Sequence, residues 1–183
     1  RILSEMSKSG VSADRLCYIL NSQEETDRPD ARPAPMDRDI AFHHVTYRFH
    51  DQSPVLDDVD FTIPAGSTFA ILGSTGSGKS TLMHLLDRLY DLPEGSGSIT
   101  VGGVDIRKMP RAWVRKNIGM VLQEPFLFSR TIEENIASCI PEGTSGEDRL
   151  RQVRRAASIA CIDGAISSFQ QGYDTIVGER GVT

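Results

Sequence analysis

A glycine-rich loop, set between an apolar run and a leucine-striped helix, constrains this chain more than any other feature. The pattern G-x-x-x-x-G-K-[ST] is met at Gly73, Gly78, Lys79 and Ser80. The residues just before it, FAIL at 69–72, are apolar on consecutive positions, which predicts a strand buried on both faces of a parallel sheet. The leucines after it follow helical spacing: Leu82, Leu85, Leu86 and Leu89. A strand, a glycine turn and a helix form the setting in which this pattern binds phosphates.

The residue types of the loop suit the polyphosphate of a nucleotide. The glycines let the backbone approach the phosphates and adopt the positive φ angles of the turn. The helix that follows offers free N–H groups and a partial positive charge. Lys79 adds a full charge within reach of the β- and γ-phosphates, and the Ser80 hydroxyl suits Mg²⁺, a hard cation. The expected cradle comprises Gly73, Ser74, Thr75, Gly76, Ser77, Gly78, Lys79 and Ser80.

Charge and composition argue against several classes of function. With 25 acidic and 20 basic residues the net charge is −5, which argues against a nucleic-acid-binding surface. The arginines between positions 149 and 155 alternate with apolar residues and indicate a solvated helix face. The three cysteines lack metal-ligand spacing, which favours a reduced compartment. No apolar run approaches the roughly 20 residues of a membrane span, and no signal peptide opens the chain.

The N-terminal part differs in character from the rest of the chain. SADRLCYIL at 12–20 places Leu16, Ile19 and Leu20 on one face of a helix. The next stretch, NSQEETDRPDARPAPMDRD at 21–39, is charged, proline-rich and without periodicity, which predicts an extended linker. A domain boundary is therefore expected within this stretch.

Beyond the boundary the pattern turns to strands and helices. Alternation of apolar and polar residues predicts antiparallel strands at 45–49 and 59–63. The apolar run IGMVLQ at 118–123 predicts a second buried strand, ending at Gln123. Three further segments predict helices: PRAWVRKNI at 110–118, TIEENIAS at 131–138 and SGEDRLRQVRRAASIAC at 145–161.

Longer segments around these motifs resemble the ATP-binding cassette (ABC) family: LGSTGSGKSTLMHLLDRLYD, GSGSITVGGVDI, IGMVLQEPFLFSRTIEENIA and GYDTIVGERG. The resemblance is closest to exporter-type ABC transporters, in which membrane helices and the nucleotide-binding domain share one chain. It implies an α/β fold, with a P-loop NTPase core built on a parallel sheet, an antiparallel β subdomain and the start of a helical subdomain. Residues 1–36 would be the cytoplasmic end of a membrane-domain helix and a Pro-rich linker. Residues 37–183 would be the N-terminal portion of the nucleotide-binding domain.

The resemblance also implies roles for single residues. Tyr47 resembles the aromatic that stacks on the adenine of ATP, and the alternative is a buried strand aromatic. Gln123 resembles a glutamine that contacts Mg²⁺ or the attacking water, and the alternative is a surface residue at a strand end. Lys79 and Gln123 are thus the implied catalytic residues, and Ser80 and Gln123 the implied Mg²⁺ ligands. Thr81 resembles a residue that contacts the α-phosphate.

Two further segments match surfaces of the exporter family. FLFSRTIEENI at 126–136 resembles the segment that meets the coupling helices of the transmembrane part, although FLF at 126–128 is equally compatible with a local core cluster. GYDTIVGERG at 172–181 resembles the exporter-specific loop before the family signature. Its pair Glu179 and Arg180 is consistent with a bend near a subunit interface, whereas the spacing alone indicates only a flexible loop.

Some elements of the family are not found in the sequence: the LSGGQ-type signature, an apolar strand ending in Asp-Glu, and the switch histidine. The acidic strand would lie beside the phosphate-loop strand, so the predicted sheet has open edges without it. We therefore expect this chain to be a fragment, truncated before the signature, with the C-terminal part of the fold absent. Alone, it is expected not to hydrolyse ATP and to need another copy or a swapped strand.

The leading hypothesis is the ATP-binding domain of a membrane exporter, at the cytoplasmic face of the cell membrane, which hydrolyses ATP in the complete protein. The implied partners are a second nucleotide-binding domain, in a homodimer or a heterodimer, and the transmembrane domain of the same transporter. One alternative is a regulatory or degenerate nucleotide-binding module without turnover. Another is a soluble ABC protein. The transported substrate is not identified, because its contacts would lie in the membrane domain.

Overall fold

The computed structural model describes residues 12–22, 24–50, 53–123 and 126–178. The chain divides into two compact units between Gly119 and Met120. Residues 12–20 are helical, as predicted, and form α1, whose side chains are all exposed. Within the described ranges, no helix combines the length and the apolarity that crossing a bilayer requires. Residues 24–28 and 31–35 have no regular secondary structure, in keeping with their proline-rich composition.

The first unit is built on a four-stranded antiparallel sheet in the order β2-β1-β3-β4. Its strands are β1 (Ile40–Tyr47), β2 (Leu56–Ile63), β3 (Ser98–Val101) and β4 (Val104–Asp105). In the register of β1 and β2, Val45 lies opposite Val59. The predicted pair of antiparallel strands is therefore confirmed.

Helix α2 (Lys79–Leu86) packs against this sheet through the predicted leucine stripe. Leu82, Leu85 and Leu86 are buried in a core formed with residues of β1 and β3, including Phe42 and Ile99. The fourth leucine of the stripe lies beyond the end of the helix and is exposed. Helix α3 (Arg111–Asn117) contributes Val114 to the same core. The phosphate-loop helix is thus anchored by one apolar face.

No parallel sheet is found among the described residues, and the segments 69–72 and 118–123, where strands were expected, have no regular secondary structure there. Leu72 is 94% exposed and Val121 is fully exposed. A strand of a parallel sheet exists only where neighbouring strands satisfy its backbone N–H and C=O groups. The described part of the chain offers these two segments no such neighbour, and the sequence contains no acidic strand to pair with them.

The second unit is helical, with α4 (Ile132–Ile136), α5 (Gly146–Ile159) and α6 (Asp163–Ser167). The predicted helices of this region are confirmed. Thr131 and Glu134 form a reciprocal capping box at the start of α4, and Ser145 caps α5 through the N–H of Asp148. The small core of this unit consists of Ala137, Val153, Ala157, Ile166 and Tyr173.

Candidate functional site

The predicted phosphate loop leads directly into α2. Gly78 is the N-cap of the helix, at φ 88°, and no side chain caps the first turn. The free N–H groups of that turn are therefore available to a ligand. Gly76 also has a positive φ, of 82°. The loop residues 73–77 are exposed, whereas Gly78 is buried.

The start of β2 forms one wall of the site. A Cβ atom on Gly78 would lie 2.8 Å from both the backbone oxygen of Val55 and Cδ2 of Leu56. Only glycine permits this close approach together with the positive φ angle. Next to it lies a cavity of about 150 Å³, lined by Val55 and by residues 76–81. Six of the nine residues 73–81 therefore line one concave site. Val55, just before β2, forms part of the same wall.

The Lys79 ammonium group occupies the centre of the loop. Its Nζ donates to the backbone oxygens of Gly73 at 2.8 Å and Ser74 at 2.7 Å, and to Oγ of Ser77 at 3.2 Å. These acceptors hold the only full positive charge of residues 73–81 in the position where a polyphosphate would lie. The charge and the helix N-terminus therefore act on the same volume.

Two hydroxyl residues follow Lys79 in the first turn of α2. Ser80 is exposed and lines the cavity, so its oxygen is a suitable hard donor for Mg²⁺. Thr81 also lines the cavity but is largely buried. Both predicted positions thus lie at the cavity, and the chemistry of Ser80 fits the cation.

The predicted adenine-stacking residue lies in an aromatic cluster at the end of β1. Tyr47 is only 9% exposed, and its ring contacts Phe49 edge-on at 5.1 Å and Tyr90 in a stacked arrangement at 6.0 Å. Burial, with a smaller contribution from Tyr90, raises the pKa of the Tyr47 phenol above its ordinary value of 10.0. Phe49 is less buried than Tyr47. Little of the Tyr47 ring is therefore left for a base.

This cluster is connected to the phosphate cavity through the backbone. The N–H of Val55 donates to the carbonyl oxygen of Tyr47 at 2.8 Å, and Val55 also lines the cavity. Val55, Phe49 and Tyr90 were not predicted as site residues from the sequence. An aromatic residue two positions after Tyr47 was the available signal for Phe49, whereas nothing in the local pattern distinguishes Val55.

The remaining predicted site residues belong to the second unit. Gln123 is exposed and ends an irregular segment rather than a strand. Phe126 and Phe128 are exposed and contact each other edge-on at 5.2 Å. Leu127 lines an apolar cavity of about 300 Å³ together with Ile132, Ile136, Ile166 and Val177. Glu179 and Arg180 lie outside the described residues.

Comparison with known proteins identifies the family. Residues 56–177 match the family model described as ABC transporter. The chain is 38% identical to ABC transporter B family member 21 of Arabidopsis thaliana, over 97% of this chain and 14% of that protein. It is 39% identical to a putative multidrug export ATP-binding/permease protein of Bacillus subtilis, over 97% of this chain and 30% of that protein.

A solved structure gives the same result at the level of the fold. The structure of a bacterial Atm1-family ABC exporter with ATP bound matches with a TM-score of 0.78 and 34% identity. The match covers 98% of this chain and 31% of that one. The chain therefore spans less than a third of the length of each of these relatives.

Proposed function

Because the chain belongs to the ABC transporter family, we propose that it is the ATP-binding part of a membrane exporter that couples ATP binding and hydrolysis to transport. One observation carries this proposal: the Lys79 ammonium lies at the centre of a glycine loop that opens into the uncapped first turn of α2. The exporter that matches by structure has ATP bound. The substrate of the present protein is left open.

Different residues of the site would bind different parts of Mg·ATP. The backbone N–H groups of residues 76–81 and the Lys79 ammonium would bind the phosphates, and Thr81 would lie nearest the α-phosphate. Ser80, with Gln123, would hold Mg²⁺, which neutralises charge on the phosphates during in-line attack by water. Gln123 would also orient that water. Lys79 and Gln123 are therefore the proposed catalytic residues of this chain.

The base would stack on the aromatic cluster at the end of β1. Base–aromatic stacking contributes about 1–3 kcal/mol per base on nucleic-acid platforms. Phe49 is more accessible than Tyr47, and the two rings contact each other edge-on. Stacking on Tyr47 itself remains the competing assignment.

The wider architecture is proposed on the same family basis. Residues 1–36 would be the cytoplasmic end of a membrane-domain helix and its linker, and residues 37–183 would belong to the nucleotide-binding domain. In the complete domain, residues 69–72 and 118–123 would join a parallel sheet, which the exposed apolar side chains of Leu72, Val121 and Leu122 support. The domain would lie at the cytoplasmic face of the membrane.

Two partners follow from this proposal. A second nucleotide-binding domain would close over the ATP, and the transmembrane domain of the same transporter would dock on the second unit. The apolar cavity that Leu127 lines, with its exposed neighbours Phe126 and Phe128, supports the docking proposal.

The test uses the full-length protein reconstituted in nanodiscs. Calorimetry with Mg·ATP measures binding, and release of inorganic phosphate measures turnover. We expect saturable binding and phosphate release. Binding without release would favour the alternative of a module without turnover, while absence of binding would refute the proposed function. Hydrophobic spans encoded upstream of Arg1 would separate an exporter from a soluble ABC protein.

A further inference from the structure

The segment between α1 and the sheet is fastened to the rest of the first unit by two of its carboxylates. Glu25 pairs with Arg115 of α3, and Asp27 pairs with Arg111 of α3 and with Arg88. The partners are separated from these carboxylates by 61 to 90 positions in the sequence. Sequence patterns alone therefore did not reveal this contact.

Asp27 completes the N-terminus of α3. The N-cap of that helix is Pro110, which makes no side-chain cap. The Asp27 carboxylate instead accepts the N–H of Arg111, at 3.0 and 3.2 Å to its two oxygens. It also accepts from the Arg111 guanidinium at 3.4 Å. A carboxylate at this position satisfies an orphan donor and complements the positive end of the helix.

Glu25 is held in a two-pronged contact. Arg115 donates from Nη1 to Oε2 at 2.8 Å and from Nη2 to Oε1 at 2.9 Å. The hydrogen bond from Arg115 is the main cause that lowers the pKa of Glu25 below its ordinary value. The same guanidinium donates to the backbone oxygen of Arg88 at 2.6 Å and to that of Asp87 at 3.3 Å. The Arg115 side chain therefore links Glu25 to the backbone at the C-terminal end of α2.

Arg88 fixes this end of the phosphate-loop helix. It is 4% exposed, and its φ of 54° is in the left-handed region, which side chains rarely adopt. Its guanidinium donates to the backbone oxygens of Met109 at 2.6 Å and Ile106 at 3.3 Å, and to Asp91 at 3.1 Å. A longer contact of 3.5 Å reaches Asp27. A buried cation requires such partners, so the position of the chain after α2 is tightly determined.

The fastening continues downstream of Asp27. Arg28 pairs with Glu94 at 2.9 Å, the N–H of Arg32 donates to the backbone oxygen of Lys108 at 2.9 Å, and the Trp113 indole donates to that of Ala34 at 2.9 Å. Among the described residues of this segment that contact the sheet, α2, α3 or their connections, Glu25 lies nearest to α1. A motion passed along the chain from the sheet and α2 to α1 therefore crosses Asp27 and Glu25.

We propose that Glu25 and Asp27 are positioning residues that fasten the segment leading from α1 to the C-terminal end of α2. This inference rests on the proposed function, because it makes nucleotide binding the source of the movement. Helix α2 is about 12 Å long at 1.5 Å per residue, with the phosphate loop at one end and Arg88 beyond the other. A rigid helix moves as a body, so a shift at the loop is passed to Arg88 and Arg115 and from them to the segment.

Hydrogen–deuterium exchange on the full-length protein in nanodiscs tests this proposal, with Mg²⁺ and a non-hydrolysable ATP analogue as the ligand. The test variant is Glu25→Gln with Asp27→Asn. The matched control is Glu24→Gln with Asp30→Asn, which alters exposed carboxylates of the same segment that form no side-chain hydrogen bond or ion pair with the described residues. Both variants change the charge by the same amount.

In the wild type and the control, we expect the nucleotide to protect amides 76–81 and to alter exchange at amides 12–22. In the test variant, protection at 76–81 should remain, whereas the response at 12–22 should disappear. Amides 24–28 should also exchange about tenfold faster, because charge-assisted hydrogen bonds that close this segment are weakened.

Each result is decisive for one hypothesis. Absence of protection at 76–81 in the wild type would refute the proposed function. Protection there, with no response at 12–22 in the wild type or an unchanged response in the test variant, would overturn the inference. If the test variant loses protection at 76–81, Glu25→Gln alone is the deciding variant, because it keeps the Asp27 cap of α3. The same criterion then applies to it.

Discussion

Lys79 illustrates how the site depends on a single charge. Its ammonium is held by the backbone oxygens of Gly73 and Ser74, so it is already directed into the loop. Backbone N–H groups could come from any glycine turn, but a full positive charge at its centre favours an anion with several negative charges.

Lys79→Ala is expected to weaken Mg·ATP binding by the full-length protein by roughly 10- to 100-fold. A hydrogen bond to a charged group contributes about 1.5–3 kcal/mol, and about 1.4 kcal/mol corresponds to a factor of ten. Isothermal calorimetry measures the change. Lys116→Ala, at an exposed position of α3, is the control and should bind as the wild type. Equal affinity of the Lys79 and Lys116 variants would remove the role assigned to Lys79.

Phe49 and Tyr47 have separable expected roles in the aromatic cluster. Phe49→Ala should weaken ATP binding by about 1–3 kcal/mol and leave the binding of inorganic triphosphate, which has no base, unchanged. Tyr47→Leu fills the core without an aromatic face, and we expect it to retain most of the ATP affinity. Calorimetry with both ligands compares the variants. A loss of ATP affinity confined to Tyr47→Leu, in a stably folded protein, would assign the stacking role to Tyr47.

Asp105 makes part of the stability dependent on pH. Burial raises the pKa of this carboxyl, but the hydrogen bonds from Arg107 outweigh burial and hold the pKa below its ordinary value of 3.8. A depressed pKa contributes stability above the unfolded-state value, and this contribution is lost as the pH falls through the folded-state pKa.

Asp105→Asn is therefore expected to lower stability at neutral pH and to flatten its decline below about pH 4. Chemical denaturation over the acidic range, on the full-length protein, measures both effects. Asp57→Asn, on an exposed position of β2, serves as the control. A wild-type slope in the Asp105 variant would show that other carboxylates determine the acid transition.

The junction between the phosphate loop and α2 depends on the adjacent start of β2. Gly76 and Gly78 have nearly the same positive φ, but their surroundings differ. A Cβ atom on Gly76 would meet nothing within 4 Å, whereas one on Gly78 would meet the backbone of Val55 at 2.8 Å. Comparing substitutions at the two glycines therefore distinguishes the cost of backbone strain from the cost of steric contact.

Gly76→Ala is expected to cost about 1–2 kcal/mol of stability, from the left-handed conformation alone. Gly78→Ala should cost more and should also displace the start of α2 from β2, with loss of Mg·ATP binding. Thermal unfolding and calorimetry on both variants provide the comparison. Equal effects of the two substitutions would show that contact with Val55 does not determine the shape of the loop.

At the scale of the whole molecule, both units leave apolar segments in contact with solvent. The exposed residues include Leu72, Val121 and Leu122 in the segments where strands were expected. Unpaired extended segments with apolar side chains favour association with another chain. The net charge of −5 opposes such association only weakly at physiological ionic strength.

The isolated chain is therefore expected to self-associate at micromolar concentration, and Leu72→Lys with Val121→Lys should reduce this association. Sedimentation velocity measures the size distribution. The control Gln171→Lys adds positive charge at an exposed polar position and should leave the association unchanged. A wild-type chain that sediments as a monomer, with sharp thermal unfolding, would contradict the prediction.

Local patterns predicted much of the fold and the phosphate loop. The alternation around Val45 and Val59 predicted the antiparallel pair, and the glycine pattern predicted the loop at the start of α2. The apolar runs at 69–72 and 118–123 predicted strands, but neither forms a strand among the described residues. Apolar composition indicates that a segment is suitable for burial, but only a neighbouring strand decides whether it forms a ladder.

The positions of the phosphate loop, its lysine and the helix that follows could be predicted from local residue types, because these features depend on residues within about ten positions of one another. Only folding reveals that Tyr47 is buried in contact with Phe49, that Val55 lines the cavity, and that Asp27 caps a helix 84 positions away. Such contacts arise from chain segments that meet only on folding. No local pattern of charge or hydrophobicity specifies which distant carboxylate reaches a given N–H group.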